Sequence, residues 1–264
     1  MKNEIRFALY AIKKNIKSSA ELRGSFIMNI VGMMLNNLSF VLIWLFMIQT
    51  VGSIGGWNSA YVIGLQGFSA LSFGICFSFL GGITQMCKNI SNGNFDRFIL
   101  SPKDVLLRSS VSYFTVSAIG DVLYGIICLL ICLIMIKASI FQAMMTVLFI
   151  LLTSMVFITV SIFCQSLAFY FEDGESVANS ALELFFTPSL MHGGAFQGEM
   201  RFVFTFLIPS LLFGTLPVEA VINMDMEKLL LIAVLSIFWL VFSIIFFYKS
   251  LRRYESANFM TFGS

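Results

Sequence analysis

The sequence predicts an all-α, polytopic membrane protein, and two observations carry that prediction. The first is composition: 58% of the 264 residues are hydrophobic, 11% are charged, and the mean hydropathy is +0.92. A soluble domain of this length could not bury so much apolar surface. The second is a charge-free stretch at residues 24–87, far longer than one crossing of a hydrocarbon core about 30 Å thick. The chain therefore crosses a membrane more than once.

Residues 1–23 form a basic leader with six Lys or Arg residues and two Glu residues. One face of its helical projection is apolar and consists of Ile5, Ala8, Leu9, Ile12 and Ile16. This pattern predicts an amphipathic helix on the cytoplasmic surface of the membrane. A basic segment that is merely solvated is the alternative.

Six apolar segments predict six transmembrane helices within a single transmembrane domain, residues 1–264. Turn-forming residues separate helices 1 and 2 at residues 52–59, and the short segment 137–139 separates helices 3 and 4. The expected helix bounds, in chain order, are Phe26–Val51, Ala60–Met86, Val105–Ile136, Ile140–Phe171, Ser176–Leu190 and Leu229–Tyr248.

Residues 191–228 predict an outward-facing pair of re-entrant helices between helices 5 and 6. The charge-free run 202–218 contains Pro209 and Pro217, each of which removes a backbone hydrogen-bond donor. A run of this length is marginal for a full crossing, and the freed backbone groups need protein around them. A kinked seventh crossing is the alternative, and it would place the C-terminus outside.

The basic residues predict the orientation of the chain. With six crossings, 13 of the 16 Lys and Arg residues fall on one side, in the leader, in residues 87–110 and in the tail 249–264. Basic residues are enriched on the cytoplasmic side of membrane proteins. Both termini and residues 87–110 are therefore expected in the cytoplasm.

Residues 87–110, called here the polar loop, are the largest polar segment between two predicted spans. Residues 92–94, Asn-Gly-Asn, predict a turn, and residues 95–100 predict a short helix lying across the membrane plane. Its apolar anchors are expected to be Phe95, Phe98 and Ile99. A loop that only joins two spans could have about four residues. This longer, aromatic loop is suited to docking into a groove on a soluble partner.

A second helix is expected to begin at the end of this segment. Ser101 is predicted as its N-cap, Pro102 as its first residue and Asp104 as the residue that completes a capping box.

The residue inventory argues against an enzyme. The chain has a single histidine, His192, and no Gly-Lys pair, so it lacks a P-loop and cannot hydrolyse ATP by that route alone. The five cysteines are interpreted as small core residues, although Cys128 and Cys132 share a helix face. No metal or cofactor is expected in this chain, and its net charge of +2 gives no reason to expect nucleic acid.

Two acidic residues, Asp121 and Glu183, lie inside predicted membrane helices. A carboxylate facing lipid at the bilayer centre costs about 2.5 to 3.5 kcal/mol, so Asp121 is expected to face a helix neighbour or water. For both residues, a structural role between helices and a role in a transport pathway remain open.

Four motifs occur in order along the chain. They are N-G-x-F-D-x-x-I-L-S-P at residues 92–102, T-P-x-x-x-x-G-G at 187–194, F-L-I-P-S-x-L-x-x-x-L-P-V-E at 206–219, and L-x-R-Y-E-S-A at 251–257. Together they resemble the six-span permease subunits of bacterial ABC exporters, a class that includes polysaccharide, teichoic-acid and drug exporters. Within that class the chain is most similar to a family of small export permeases.

The resemblance implies that the polar loop is a coupling loop, moved by a separate ATPase subunit that holds ATP and magnesium. It also implies a second permease subunit, identical or related, and a multi-pass location in the bacterial cytoplasmic membrane. The residues that it assigns to ATPase coupling are Gly93, Phe95, Asp96, Arg97, Leu100 and Pro102. Those that it assigns to the re-entrant region are Pro209, Pro217 and Glu219.

The sequence thus predicts the permease subunit of an ATP-driven exporter for an amphipathic or hydrophobic cargo. The pathway is expected between two subunits, lined by helices 1, 2 and 5. The alternative is a membrane protein that works without ATP, either a carrier or a self-immunity protein.

Overall fold

The computed structural model of the chain describes residues 2–53 and 55–254, which form helices and turns without a β-strand. The residues after Tyr254, which belong to the predicted tail 249–264 and to the fourth motif, lie outside the described residues. The α-helices, in chain order, are α1 Lys2–Ala20, α2 Arg23–Val51, α3 Ser59–Phe79, α4 Met86–Ser91, α5 Asp96–Ile99, α6 Val105–Ser110, α7 Ser117–Met135, α8 Ile140–Ser166, α9 Gly174–Phe186, α10 Gly198–Phe202, α11 Thr215–Asn223 and α12 Met226–Leu251. Short 3-10 or π-helical turns lie at Gly81–Gln85, Leu167–Phe169, Thr187–Leu190, Gly193–Ala195, Val203–Leu207 and Pro209–Phe213.

Within the described part of the chain, five helices are long and apolar enough to cross a membrane: α2, α3, α7, α8 and α12. They correspond to predicted helices 1, 2, 3, 4 and 6. Predicted helix 5 falls on α9, which has 13 residues, and on the turn that follows it. A straight helix that spans a bilayer needs about 20 residues. A sixth crossing therefore stays a prediction.

Predicted helix 3 is wrong in one respect, because residues 105–136 form two helices instead of one. The helices α6 and α7 are separated by residues 111–116. Side chains donate hydrogen bonds to backbone carbonyl oxygens at this break. Ser112 Oγ donates to Ser109 O at 2.7 Å, and Asn15 Nδ2 donates to Val111 O at 2.9 Å. Such bonds compete with helix continuation. Helix 2 is also shorter than predicted, since α3 ends at Phe79 before a 3-10 turn.

The predicted capping of α6 is wrong as well. The N-cap is Asp104, whose Oδ1 accepts a hydrogen bond from the Leu107 amide at 2.8 Å. Ser101 instead belongs to a turn, where its hydroxyl accepts from the Lys103 amide at 3.4 Å. An ionised carboxylate at the N-cap also interacts favourably with the helix dipole. The helix therefore begins at Val105, three residues later than predicted at Pro102.

The helix α3 lies at the centre of the bundle and packs most extensively against α7. Close contact depends on glycine: a Cβ atom on Gly74 would lie 2.7 Å from the Val122 amide nitrogen and 2.8 Å from the Ala118 carbonyl oxygen. Small residues allow membrane helices to approach in this way. Gly74 therefore allows the backbones of α3 and α7 to come close together.

A separate apolar cluster fastens the polar loop to one end of the bundle, called here the loop end. Phe95 has no exposed surface, and its ring lies 5.6 Å from each of the rings of Phe169 and Tyr254. The backbone amide of Cys87 donates to Oε1 of the buried Gln165 at 3.0 Å. The other buried members of the cluster are Ile83, Met86, Ile90, Phe98, Ile162, Ala168, Ala178 and Phe247. The loop is thus packed against the C-terminal ends of α8 and α12.

Substitution of Gly82 tests the close packing of the 3-10 turn Gly81–Gln85 against the end of α6. A Cβ atom there would lie 2.7 Å from the Ser110 carbonyl oxygen, a backbone atom that cannot move aside freely. We expect Gly82→Ala to cost about 1–3 kcal/mol of stability, as overpacking does, and to lower the melting temperature of the detergent-purified chain. Gly24→Ala is the control, since nothing lies within 4 Å of its added atom. Equal melting temperatures for both variants would contradict the tight contact.

Truncation of Phe95 tests the anchoring of the polar loop. Because the side chain is fully buried, Phe95→Ala should cost about 3–5 kcal/mol and make residues 87–110 sensitive to protease. The control is Ile99→Ala, whose side chain is 40% exposed and should change stability by less than about 1 kcal/mol. Melting temperature and limited proteolysis of the purified chain measure both effects. The anchoring role fails if the two variants resist protease equally.

Candidate functional site

The polar loop has one buried and one exposed face. Gly93 adopts a φ of +67°, which favours glycine, and reverses the chain before Phe95 enters the cluster. The exposed face is formed by Ile99, Leu100 and Pro102, with 85% of Leu100 accessible. Of the three predicted anchors, the structure buries Phe95 and Phe98 within this chain and leaves Ile99 exposed.

Arg97 and Arg108 hold the shape of the loop. Arg97 Nη2 donates to Asn89 Oδ1 at 3.2 Å, and Arg108 Nη1 donates to the Arg97 carbonyl oxygen at 2.7 Å. Both guanidinium groups also lie over the Phe98 ring, at 4.7 and 5.8 Å from its centroid. Arg97 is exposed, so these contacts leave part of it accessible to a partner.

Asp96 faces inward, towards the end of α12. Its carboxylate lies beside the Tyr254 hydroxyl, and burial together with this negative charge raises the pKa of Tyr254 to about 12. Tyr254 therefore stays neutral at physiological pH. Asp96 and Phe95 together connect the loop to the segment that follows the last span.

The leader helix α1 packs on the polar loop, a contact that the sequence analysis missed. Lys103 Nζ lies 3.6 Å from Glu4 Oε1, and Asn15 bonds to the backbone after α6. A cavity of about 290 Å³ remains between the two elements, lined on the helix side by Phe7 and Ala11. The helix predicted for the leader is confirmed, and its contact with the membrane surface stays a prediction.

At the opposite end of the bundle, Glu219 joins three elements. Its carboxylate contacts Arg201 Nη2 at 2.5 Å and Lys228 Nζ at 3.1 Å, and the residue is only 6% exposed. Backbone and side-chain contacts from Lys228 lower the pKa of Asp225. These ion pairs tie α10 and the start of α12 to α11.

His192 lies at the same end, with the edge of its ring against Trp44 at 5.2 Å between centroids. Burial lowers the pKa of its imidazole, so the residue is neutral at pH 7. Its environment is that of a packed turn residue.

Residues 203–223 pack against other helices of the bundle. Ser210 Oγ donates to the Phe185 carbonyl oxygen at 2.6 Å, and the Phe213 ring stacks on Phe157 with 4.0 Å between centroids. Pro209 starts the 3-10 turn and Pro217 lies in the first turn of α11, where a missing backbone donor costs least. Both prolines are buried.

Asp121 is buried, with 3% of its surface exposed, and Asn37 Nδ2 donates to its Oδ1 at 2.6 Å. Beside it lies a cavity of about 240 Å³ between α2, α3, α9 and the turn that follows α9. Gln66 and Ser69 also line this cavity. Asp121 stands out in the sequence as a charge inside an apolar helix, whereas Asn37 and Gln66 were not predicted. Polar amides inside the charge-free stretch were the signal that could have found them. Glu183 is exposed on α9 and does not line the cavity.

In the described part of the chain, no three His, Cys, Asp or Glu side chains lie close enough together to hold a metal ion. The five cysteines are buried and unpaired with one another.

Comparison with known proteins identifies the family. The sequence model described as "ABC-2 family transporter protein" matches residues 24–258, most of the chain. Neither the curated proteins nor the solved structures gave a match. The resemblance found in the four motifs is confirmed, and membership of this family implies association with an ABC ATPase subunit. The chain therefore belongs to the ABC-2 transporter family, and it is a multi-pass membrane protein that serves as a permease component of an ABC transporter.

Proposed function

We propose that this permease belongs to an exporter that moves an amphipathic or hydrophobic cargo and that it is driven through its polar loop. A separate ATPase subunit, carrying ATP and magnesium, docks on the exposed face of the loop. Nucleotide-driven closure of the ATPase dimer then pushes on the loops of two permease subunits. Family membership supports the partner, and the two-faced geometry of the loop supports the docking surface.

The observation that carries the proposal is the exposed apolar tip at Leu100. A leucine with 85% of its surface accessible, next to the exposed Ile99 and Pro102, is costly to leave in water. Such a tip on an anchored segment fits a groove on a soluble partner, because the side chains behind it are already packed. Ile99 and Leu100 thus replace Phe95 and Phe98 as the groups offered to the ATPase.

A second permease copy is expected against α2. This helix is the least buried of the five candidate spans. Its exposed side chains include Asn29, Asn36 and Ser39, of which the two asparagines are poorly suited to lipid. A pathway at the interface between two copies would give these side chains polar surroundings. The position of α2 beside the Asp121 cavity agrees with a pathway lined by predicted helices 1, 2 and 5.

The proposed topology has six crossings, with both termini and the polar loop in the cytoplasm. It is supported by contacts that gather α1, the polar loop and Tyr254 at the loop end. α9 starts near this end, and α12 starts near the ion pairs of the opposite end, so the intervening chain makes one net passage. In this topology the re-entrant segment lies within residues 191–228, and its helix α11 packs against α3 and α8.

Substitution of the exposed tip tests the docking surface. We expect Leu100→Ser to weaken association with the ATPase about tenfold or more, because a buried apolar anchor is lost on the partner side. The measurement is titration of the purified permease with its ABC ATPase subunit. Leu22→Ser is the matched control, since Leu22 is 73% exposed outside the loop. Similar affinities for the two variants would remove the tip from its docking role.

Co-purification distinguishes the exporter from the alternative of a carrier or self-immunity protein. A permease purified in mild detergent from its native host should carry an ABC ATPase with it. Transport by the chain reconstituted alone, without any ATPase, would contradict the exporter.

A further inference from the structure

The cavity beside Asp121 contains several buried polar atoms that the protein leaves unsatisfied. Within the described part of the chain, Asp121 Oδ2, Gln66 Nε2 and Ser69 Oγ have no hydrogen-bond partner. Asp121 is 3% exposed, and Gln66 and Ser69 are each 5% exposed. A buried polar group without a partner costs about 1–3 kcal/mol, and a charged one costs more. All three residues line the same cavity, so a single ligand can reach them.

Asn37 holds the Asp121 carboxylate in a position from which it can bind a ligand. It donates to Oδ1 of Asp121 and thereby fixes the orientation of the carboxyl group, while Oδ2 keeps its acceptor capacity. A carboxylate meant only to join α2 to α7 would need one oxygen. The second oxygen, with the Ser69 hydroxyl and the Gln66 amide, forms an incomplete set of hydrogen-bonding groups.

The surroundings of the cavity favour a cation with an apolar body. None of the described residues that line it is Lys, Arg or His, so the carboxylate has no basic counter-charge there. Phe73, Phe157 and Phe186 form part of the wall, and their rings contact one another at 5.2–6.3 Å between centroids. Aromatic faces attract cations, and ammonium groups are commonly held by a carboxylate together with aromatic rings.

We propose that this cavity binds the ammonium group of a cationic amphiphile, with Asp121 as its counter-charge and the three phenylalanines against its adjacent carbons. The proposal rests on the proposed function when the amphiphile is the cargo. An ammonium group supplies N–H donors for Asp121 Oδ2 and for Ser69 Oγ, whereas Gln66 Nε2 is itself a donor and does not pair with it. The volume of about 240 Å³ holds such a head group, and it exceeds the space of one water, about 30 Å³ in the liquid.

Two sources share this chemistry, a cationic cargo and the ethanolamine head group of a membrane lipid. Both would bring a primary ammonium group to membrane depth beside an alkyl body. The two sources differ in how they compete with an added amine. A lipid of the surrounding bilayer is present at high local concentration and competes with any amine that is added.

The test is equilibrium binding of radiolabelled dodecylamine to the full chain, purified in a neutral detergent without the ATPase. We expect saturable binding that chain-matched dodecanol does not displace. Asp121→Asn should weaken it about tenfold or more, because the ion pair is lost while an oxygen for Asn37 remains. Glu172→Gln, which removes an exposed carboxylate outside the cavity, should leave the affinity unchanged.

A second variant keeps the test decisive if Asp121→Asn fails to fold. Ala70 lines the cavity, and Ala70→Leu fills part of it while leaving the carboxylate intact. It should also weaken dodecylamine binding, with normal size-exclusion and circular-dichroism profiles. Equal affinity in the wild type and both folded variants, or equal displacement by dodecanol, would overturn the proposal.

Nanodiscs distinguish the two sources. Binding that persists in phosphatidylglycerol nanodiscs and vanishes in phosphatidylethanolamine nanodiscs assigns the site to the lipid head group, and binding that persists in both assigns it to a cargo amine. Either outcome supports recognition of ammonium. Because the ATPase is absent, failure of the docking prediction would leave these results unaffected.

Discussion

The loop end of this permease depends on the burial of one aromatic side chain, Phe95. Its ring fills the space between Phe169, in the turn after α8, and Tyr254, three residues after α12 ends. The buried Gln165 holds the start of the same loop. Packed interiors transmit displacement because they leave little free volume. A push on the exposed tip at Leu100 would therefore reach the ends of α8 and α12, and through the turn at residues 81–85 the end of α3.

The interior of the bundle combines close packing with isolated polar positions. α3 approaches α7 at Gly74, and the same helix carries Gln66 and Ser69 to the cavity beside Asp121. These polar groups are expensive inside a membrane unless something satisfies them. The burial that gives α3 its central place thus also makes the unsatisfied groups informative about a ligand.

The sequence was sufficient for features that depend on local pattern. Long apolar runs predicted six spans, and five of them fall on helices that are long and apolar enough to cross a membrane. Asn92 to Asn94 predicted the turn at Gly93, because a glycine at positive φ is a local signal. Features set by distant partners were missed. Ser101 fits an N-cap by spacing, yet Asp104 takes that role, and its second oxygen also accepts from the Tyr248 hydroxyl. Helix 3 breaks where Asn15, 96 residues away, bonds to Val111.

The apolar residues of the polar loop also show that contacts with distant residues cannot be predicted from local sequence. Phe95, Phe98 and Ile99 have similar apolar character in the sequence. Phe95 is buried against Phe169 and Tyr254, and Phe98 against Phe95, while Ile99 stays exposed. Likewise, nothing near Asp121 in sequence indicates Asn37, 84 residues away. Contacts between elements, which local periodicity does not encode, decide both sites.

The central claim is that the polar loop is a preformed, anchored unit before any ATPase binds. Backbone hydrogen exchange of residues 81–110, measured in the isolated permease and again with the ATPase bound, tests it most directly. A preformed loop exchanges slowly in the isolated protein, and the ATPase then adds protection mainly around residues 99–102. Exchange at the rate of an unstructured peptide until the ATPase binds would contradict the claim.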